Sequence, residues 1–412
     1  MITLIKYFLL LLVACFSFQQ MVYSQPQGLV DIKKSVDIPF EYINNFIILN
    51  VIINEKLPLK FIFDTGAEYT ILTKSEHTAD LDIQFQREFK ILGADLSTEI
   101  IAYLGRNVSF QISKLYVPSA DILVFKDDYF QFEELIGIKV DGIIGANIFS
   151  QFILGINYKK RIITLHNPSN FSPPNDKYVK VPISVIKNKP YLTVKTKINS
   201  VDQEITLKLL LDTGASLSLL LYTDTNKNIT FPPTLIKGSI GIGLGGNLEG
   251  FLGRVHELAI SDFKLHNVIT NFQEIHEFLD TSFLSGKNGI IGNLVLDRFN
   301  LIIDYNNELI YLKPSKKFKK VFEYDKSGLM LIATGKDLRT ILVNNVVSGS
   351  PADEAGIKNG DVIRRINWLP SGYSSMKDLI RIFQKKEGKK IKLTIRRDGV
   401  RMKFEFRLRN LI

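Results

Sequence analysis

Phe61-Ile62-Phe63-Asp64-Thr65-Gly66-Ala67 recurs as Leu209-Leu210-Leu211-Asp212-Thr213-Gly214-Ala215, each an apolar run ending in an Asp-Thr-Gly turn. Downstream, Gly142-Ile143-Ile144-Gly145 recurs as Gly289-Ile290-Ile291-Gly292. From the aspartate to the last glycine is 81 residues in the first copy and 80 in the second. A spacing kept this closely means that one structural unit is present twice, a reading that takes precedence over any single motif. Beyond the glycines, Phe152, Leu154, Ile156, Tyr158 and Leu165 fall on Phe299, Leu301, Ile303, Tyr305 and Leu312. Ahead of the turns, Ile38-Pro39-Phe40 mirrors Val181-Pro182-Ile183, and the runs Phe46–Ile53 and Tyr191–Ile198 follow.

Both copies alternate apolar and polar residues with period two. They are rich in β-branched and aromatic residues and are punctuated by Asn, Gly or Pro, which predicts small β-barrels with few helices. Residues 28–168 form the first unit and 177–314 the second. The polar, proline-rich stretch 166–178 reads as the linker between them. A second linker, Pro314-Ser315-Lys316-Lys317-Phe318-Lys319-Lys320, leads to a third unit at 322–410. There, strands are expected at Leu329–Thr334, Ile341–Val347 and Ile391–Arg397, with an amphipathic helix at Met376–Lys385, making an α+β module.

One Asp-Thr-Gly is weak evidence, because Asp and Gly are common turn residues. Two, each behind a buried strand and each followed about eighty residues later by Ile-Gly, are specific. Over roughly residues 30–314 the chain resembles the aspartic peptidases, and its Asp-Thr-Gly-Ala form is most similar to their retropepsin-like branch with two lobes fused in one chain. The resemblance implies a mainly β fold of two closed β-barrel lobes related by a pseudo-two-fold axis, with Asp64 and Asp212 as the catalytic pair. Two carboxylates at contact distance cannot both ionise cheaply, so the pair holds one proton, and its titration belongs to the dyad. One member then acts as general base on a water while the other polarises the scissile carbonyl, and no covalent intermediate is required. Thr65 and Thr213 would hydrogen-bond across the axis, Gly66 and Gly214 would allow close backbone approach, and Ile144, Gly145, Ile291 and Gly292 would support the cleft. Read only as structural turn residues of a duplicated β protein, Asp64 and Asp212 leave the full paired pattern without a reason.

The copies differ where Glu68-Tyr69 stands opposite Ser216-Leu217. Ala67 and Ala215 occupy positions where pepsin-type enzymes resemble one another in having a hydroxyl that donates to the carboxylate. Losing that donor removes stabilisation of the charged form, so this dyad is expected to titrate higher than in a strongly acidic peptidase. The segments Leu92–Leu104 and Leu244–Leu252 are placed to be hairpins over the cleft or else ordinary surface loops. Gly241-x-Gly243-x-x-Gly246 matches a dinucleotide fingerprint, but no strand–helix–strand unit surrounds it, so it reads as a glycine-rich hairpin. His256-Glu257 and His276-Glu277 lack the second histidine of a metalloprotease motif, and the single Cys excludes a Cys-based zinc site, iron–sulfur cluster or internal disulfide. No metal and no cofactor is expected.

Ser348-Gly349-Ser350-Pro351-Ala352 through Ala355-Gly356 and Gly360-Asp361-Val362-Ile363 to Ile366-Asn367 is very similar to the motif run of PDZ domains attached to secreted bacterial proteases. This resemblance covers about 90 residues. It implies a carboxylate-binding loop at Ser327-Gly328-Leu329-Met330-Leu331. Main-chain N–H groups of Gly328, Leu329, Met330 and Leu331 would receive a peptide C-terminus, and the following strand would pair with the peptide beside Met376, Leu379 and Ile380. The other reading of the module is a brace for the catalytic lobes. The apolar end Leu411-Ile412 either finishes the last strand or offers itself to a second molecule.

From Lys313 onward there are 24 Lys and Arg against 10 Asp and Glu, so the formal net charge of +10 belongs to the C-terminal part. No nucleic-acid-binding motif accompanies that charge, which therefore reads as solvated surface. Residues 1–24 place a lone Lys6 before the apolar run Tyr7–Phe18 and end in Val22-Tyr23-Ser24, the form of a secretory signal peptide. Leu12-Val13-Ala14-Cys15 also resembles a lipobox in which Cys15 would carry a lipid; the apolar run continuing past Cys15 favours simple cleavage near Ser24. On either reading the protein is exported to the periplasm, the cell surface or the medium. The partners expected are peptide or protein substrates and a C-terminal peptide ligand of the PDZ module, with no nucleic acid and no membrane contact beyond a lipid at Cys15. A non-catalytic peptide-binding scaffold using the same cleft is the rival function.

Overall fold

The computed structural model describes residues 32–412 except 74, 93–98, 128, 130–131, 244–245 and 276–285. The expected leader, Cys15, the His276-Glu277 pair and the tips of both hairpins lie outside the described residues. In Phe46–Ile53, Ile47, Leu49, Val51 and Ile53 pack to one side and Phe46 and Ile48 to the other, both sides buried. Alternation of side chains across a strand thus supplies two apolar layers from one run.

Six strands of the first repeat close on themselves. Phe46–Ile53 pairs with Leu57–Phe63, which runs parallel to Gly142–Ile144; that strand pairs with Thr70–Leu72, which runs parallel to Leu115–Phe125. Glu99–Ile112 joins Leu115–Phe125 back to Phe46–Ile53. The second repeat closes the same ring in the same senses, through Lys189–Lys197, Ile205–Leu211, Gly289–Ile291, Leu219–Tyr222, Phe263–Gln273 and Gly246–Ile260. Closure leaves each ring without an unpaired edge.

An antiparallel sheet of six strands bridges the rings, in the order Ser35–Pro39, Ile162–His166, Ile153–Asn157, Phe299–Asp304, Leu309–Pro314, Val179–Ile186. At its centre Gly155 lies directly opposite Ile302. These residues are equivalent in the repeat aligned on Gly145 and Gly292, as a local two-fold through the pair requires. One apolar core runs through both rings and the bridge, and a smaller one, including Ile136, Val140 and Ile143, covers the outside of the first ring.

The third unit is a six-stranded sheet, Leu329–Thr334, Thr340–Val346, Val362–Ile366, Leu369–Pro370, Lys390–Arg397 and Val400–Arg407, with helices Pro351–Glu354 and Met376–Phe383. The longer helix is capped by Ser375, whose hydroxyl accepts from the Asp378 N–H, and it stops at Phe383, two residues before the sequence expectation. Asp361, fully buried, takes a two-pronged bond from Arg397, Nε to Oδ1 at 2.7 Å and Nη2 to Oδ2 at 2.8 Å. Residues 314–320 are not a loose tether. The Arg298 guanidinium donates to the carbonyls of Lys317, Phe318 and Lys320 and lies 3.4 Å from the centre of the Phe322 ring. Leu411 and Ile412 pass beyond the last strand, donate their N–H groups to Tyr324 Oη and pack on the main core.

The Gly-Ile-Ile strand behind each turn needs its glycine where it meets its antiparallel neighbour. A Cβ on Gly289 would stand 1.9 Å from the Leu220 carbonyl oxygen, and one on Gly142 would stand 2.4 Å from that of Ile71. Gly142→Ala and Gly289→Ala should each destabilise by about 3 kcal/mol or more, as backbone clashes in a core do. Gly155→Ala, whose nearest neighbour is 3.5 Å away, should be within about 1 kcal/mol of wild type. Urea unfolding of the three variants checks this; equal losses would mean that the pairing does not need the glycines.

Candidate active site

Each aspartate sits one residue past a strand that runs parallel to an Ile-Ile pair. Asp64 N–H donates to Ile144 O and Asp212 N–H to Ile291 O, both at 3.0 Å. Gly145 and Gly292 let the chain cross behind each turn: a Cβ on Gly145 would lie 2.4 Å from the Tyr69 carbonyl, and one on Gly292 2.4 Å from the Leu217 oxygen. The short helices that follow, Ala146–Phe149 and Asn293–Leu296, then direct their first N–H groups back at the turns. Ala146 donates to Ala67 O at 2.8 Å and Asn293 to Ala215 O at 2.9 Å.

The two turns interlock through their threonines. Thr65 Oγ1 donates to Leu211 O at 2.6 Å and accepts from Thr213 N–H at 3.1 Å. Thr213 Oγ1 donates to Phe63 O at 2.9 Å and accepts from Thr65 N–H at 3.0 Å. Both threonines are buried, so each hydroxyl satisfies one strand end and one turn of the opposite repeat, and removing either strands buried polar groups. The glycines complete the approach. A Cβ on Gly66 would be 2.7 Å from the Asp212 carboxyl carbon, and one on Gly214 2.3 Å from that of Asp64.

This brings the Asp64 and Asp212 carboxyl groups within hydrogen-bond reach of each other. They are not equivalent. Asp64 Oδ1 accepts from Gly66 N–H at 2.6 Å and Ala67 N–H at 3.1 Å, whereas Asp212 Oδ1 accepts from Gly214 N–H at 2.7 Å; Ala215 N–H goes to the Asp212 main-chain oxygen at 3.4 Å. Burial, then the Asp64 charge and the bond to Asp64, hold Asp212 well above the usual carboxylate range. Burial also raises Asp64, but the bond from Asp212 and the two N–H groups oppose it, and Lys189 pulls both carboxyls down. One proton shared by the pair relieves the like charges, and the second turn N–H group favours the ionised form of Asp64. Both keep partial exposure, so solvent reaches them.

Three supporting groups escape a reading of motifs. Asn293, fully buried, donates through Nδ2 to Thr213 O at 2.5 Å and to Asn45 O at 2.8 Å, and accepts from Tyr158 Oη at 2.7 Å. In the first repeat Ala146 stands in its place, and Tyr305, the counterpart of Tyr158, has a buried hydroxyl with no partner. Burial and the Asp64 charge both push that hydroxyl's pKa up. Thr70 and Asn147 show the converse: Asn147 Oδ1 accepts from Thr70 N–H and Oγ1, while Ser218, opposite Thr70, keeps an unpartnered hydroxyl. The readable signal was the broken symmetry after Gly145 and Gly292, Ala-Asn against Asn-Leu.

The expected hairpins are present as Phe85–Leu92 with Glu99–Ile112 and Ile236–Gly243 with Gly246–Ile260. Among the described residues no group of three or more His, Cys, Asp and Glu is placed to hold a metal. At the loop expected to take a peptide carboxylate, Ser327 N–H and Gly328 N–H donate to Asp325 Oδ1 at 2.7 and 3.1 Å, and Leu329 N–H to Ser327 Oγ at 3.1 Å. Burial pushes Asp325 up to about 6 against these donors.

Residues 49–148 match the family model for aspartyl protease, and residues 342–397 that for PDZ domain. No curated protein matches the chain at a significant level. The chain thus carries an aspartyl protease domain, whose matched stretch contains Asp64 and Gly145, and a C-terminal PDZ domain. Asp212 lies in the repeat beyond the matched stretch.

Tyr158→Phe should destabilise by about 1–3 kcal/mol by stranding Asn293 Oδ1, whereas Tyr305→Phe, which removes an unpartnered hydroxyl, should be neutral or stabilising. Thermal melts of the two variants decide this; equal losses would refute the asymmetry.

Proposed function

We propose that the chain is an endopeptidase in which Asp64 and Asp212 act together on one water. The observation that carries this reading is the reciprocal threonine grip, which presses two carboxyl groups together while solvent still reaches them. In the resting state Asp212 holds the proton and hydrogen-bonds the substrate carbonyl. Asp64 takes a proton from the water as its oxygen attacks the carbonyl carbon, and Asp212 passes its own proton to the carbonyl oxygen, giving a neutral gem-diol. Asp64 then returns its proton to the amide nitrogen, the C–N bond breaks, and Asp212 recovers a proton from a diol hydroxyl. Both carboxyls end as they began, and the cycle as written uses no side-chain nucleophile, metal or cofactor.

Export fits this chemistry. A leader removed near Ser24, or a lipid on Cys15, would place the peptidase outside the cytoplasm. The rival, a peptide-binding scaffold without turnover, uses the same groove but needs no proton on Asp212.

Asp64→Asn and Asp212→Asn should each lower kcat on a mixed peptide library by about 10²–10⁴-fold or more, and the double change should add little, since the two act as one unit. Near wild-type turnover in either single variant would reject the dyad.

The pH profile should be bell-shaped, the acid limb reporting protonation of Asp64 and the alkaline limb loss of the Asp212 proton. Because burial raises both carboxyls, the optimum should fall in the weakly acidic to neutral range. Lys189→Met removes a cation that favours the ionised forms, so both limbs should move to higher pH. A profile rising monotonically into strong acid, or limbs moving down in the variant, would contradict the assignment.

A further inference from the structure

The groove of a PDZ domain lies between its edge strand and its long helix, and a ligand enters it by pairing with the strand while its carboxylate meets the loop N–H groups. Here the edge strand is Leu329–Thr334, paired on one side with Thr340–Val346, and the helix is Met376–Phe383. Both positions of an incoming peptide are already filled by this chain. The helix Phe132–Ile136, which belongs to the first ring, packs along the edge strand. Gly137 caps it, with its N–H on Glu133 O at 2.8 Å and φ at +76°. A Cβ on Gly137 would lie 3.3 Å from Met376 Cβ and 3.8 Å from Ala333 Cβ, so the backbone of residue 137 is wedged between helix and strand. At the other end of the groove the Asp325 carboxylate takes the N–H groups of Ser327 and Gly328.

The wedge is anchored from behind. Ile136 is fully buried in the apolar layer on the outside of the first ring, against which Ala67 and Ile138 also pack. Its carbonyl accepts from Asn44 Nδ2 at 2.8 Å. No main-chain hydrogen bond joins 132–138 to 329–334 among the described residues. The groove is therefore filled by side-on packing and not by an added strand.

We propose that the PDZ groove is occupied in cis, by the Glu133–Gly137 segment of the protease unit at its open end and by Asp325 at the carboxylate position, so that the module's ligand is this chain itself. Its partner surface is the outer wall of the first ring, directly behind the Asp64 turn. A free C-terminus finds the Gly328 and Leu329 N–H groups taken by Asp325 and Ser327, an ionised carboxylate beside them and the strand edge covered.

Two measurements on the full-length chain at pH 7.5, where Asp325 is ionised, test the assignment independently of peptidase activity. The first is cross-linking. The 3.8 Å separation from the Gly137 position to Ala333 Cβ suits a disulfide, whose Cβ atoms lie about 3.5–4.5 Å apart. In a Cys15→Ser background, Gly137→Cys with Ala333→Cys should lose both thiols in a glutathione buffer and yield a linked peptide pair by mass spectrometry. Free thiols in a double variant whose single-cysteine parents melt like wild type would overturn the proposal. The second needs no change at residue 137. Fluorescence anisotropy is read with a labelled octapeptide pool randomised over its last residues, once with free and once with amidated C-termini. Wild type should not distinguish the pools, because the strand edge is covered and the Gly328 N–H is taken. A wild-type preference for the free-carboxylate pool of about tenfold or more would mean that the groove is open to a peptide C-terminus and would overturn the proposal.

Discussion

Everything around the site depends on the contact between two aspartyl carboxyls that electrostatics would drive apart. Like charges at hydrogen-bond distance in a partly buried setting are expensive unless a proton is shared, and the fold enforces the contact with four hydrogen bonds from Thr65 and Thr213. Those bonds reach from each turn to the strand end of the other repeat. Neither repeat can make them alone, so the site and the pairing of the repeats form together. The bridging sheet, with Gly155 opposite Ile302, holds the same two-fold at the far side of the rings.

Duplication explains why two carboxyls meet; departures from duplication explain why they differ. One aspartate receives two turn N–H groups and the other one, a bias that leaves the ionised form of Asp64 better solvated by the protein. The second repeat supplies Asn293 and takes the Tyr158 hydroxyl, while Ala146 in the first leaves Tyr305 unpartnered. The two buried hydroxyls of Tyr305 and Ser218 are stability given up where the halves diverged.

The PDZ module is tied to the rest by charge as well as by packing. Arg254 donates to the Phe322 carbonyl and lies over the Tyr324 ring, Arg298 gathers three linker carbonyls, and Tyr324 receives the last two N–H groups of the chain. With the groove facing the outer wall of the first ring, a positively charged module that reads in sequence as an appendage is built into the protease unit.

The repeated Asp-Thr-Gly and Gly-Ile-Ile-Gly runs pointed to two equivalent β units, which close as two rings, and to the paired turns whose threonines meet across the repeats. Such features are legible because they are local: strand alternation, a turn that only small residues permit, and a spacing kept twice. Three of the third unit's six strands were legible for the same reason, to within a residue; Val362–Ile366, Leu369–Pro370 and Val400–Arg407 were not expected. Sequence could not place Asn293 against Tyr158, deny Tyr305 a partner, give Asp64 two turn N–H groups and Asp212 one, or put Asp325 and Gly137 where a peptide was expected. Each of these depends on which groups meet across tens to hundreds of residues, and on how deeply they are buried when they do. Tertiary packing alone sets that, because burial and hydrogen-bond partners are properties of the assembled core and not of any segment of the chain.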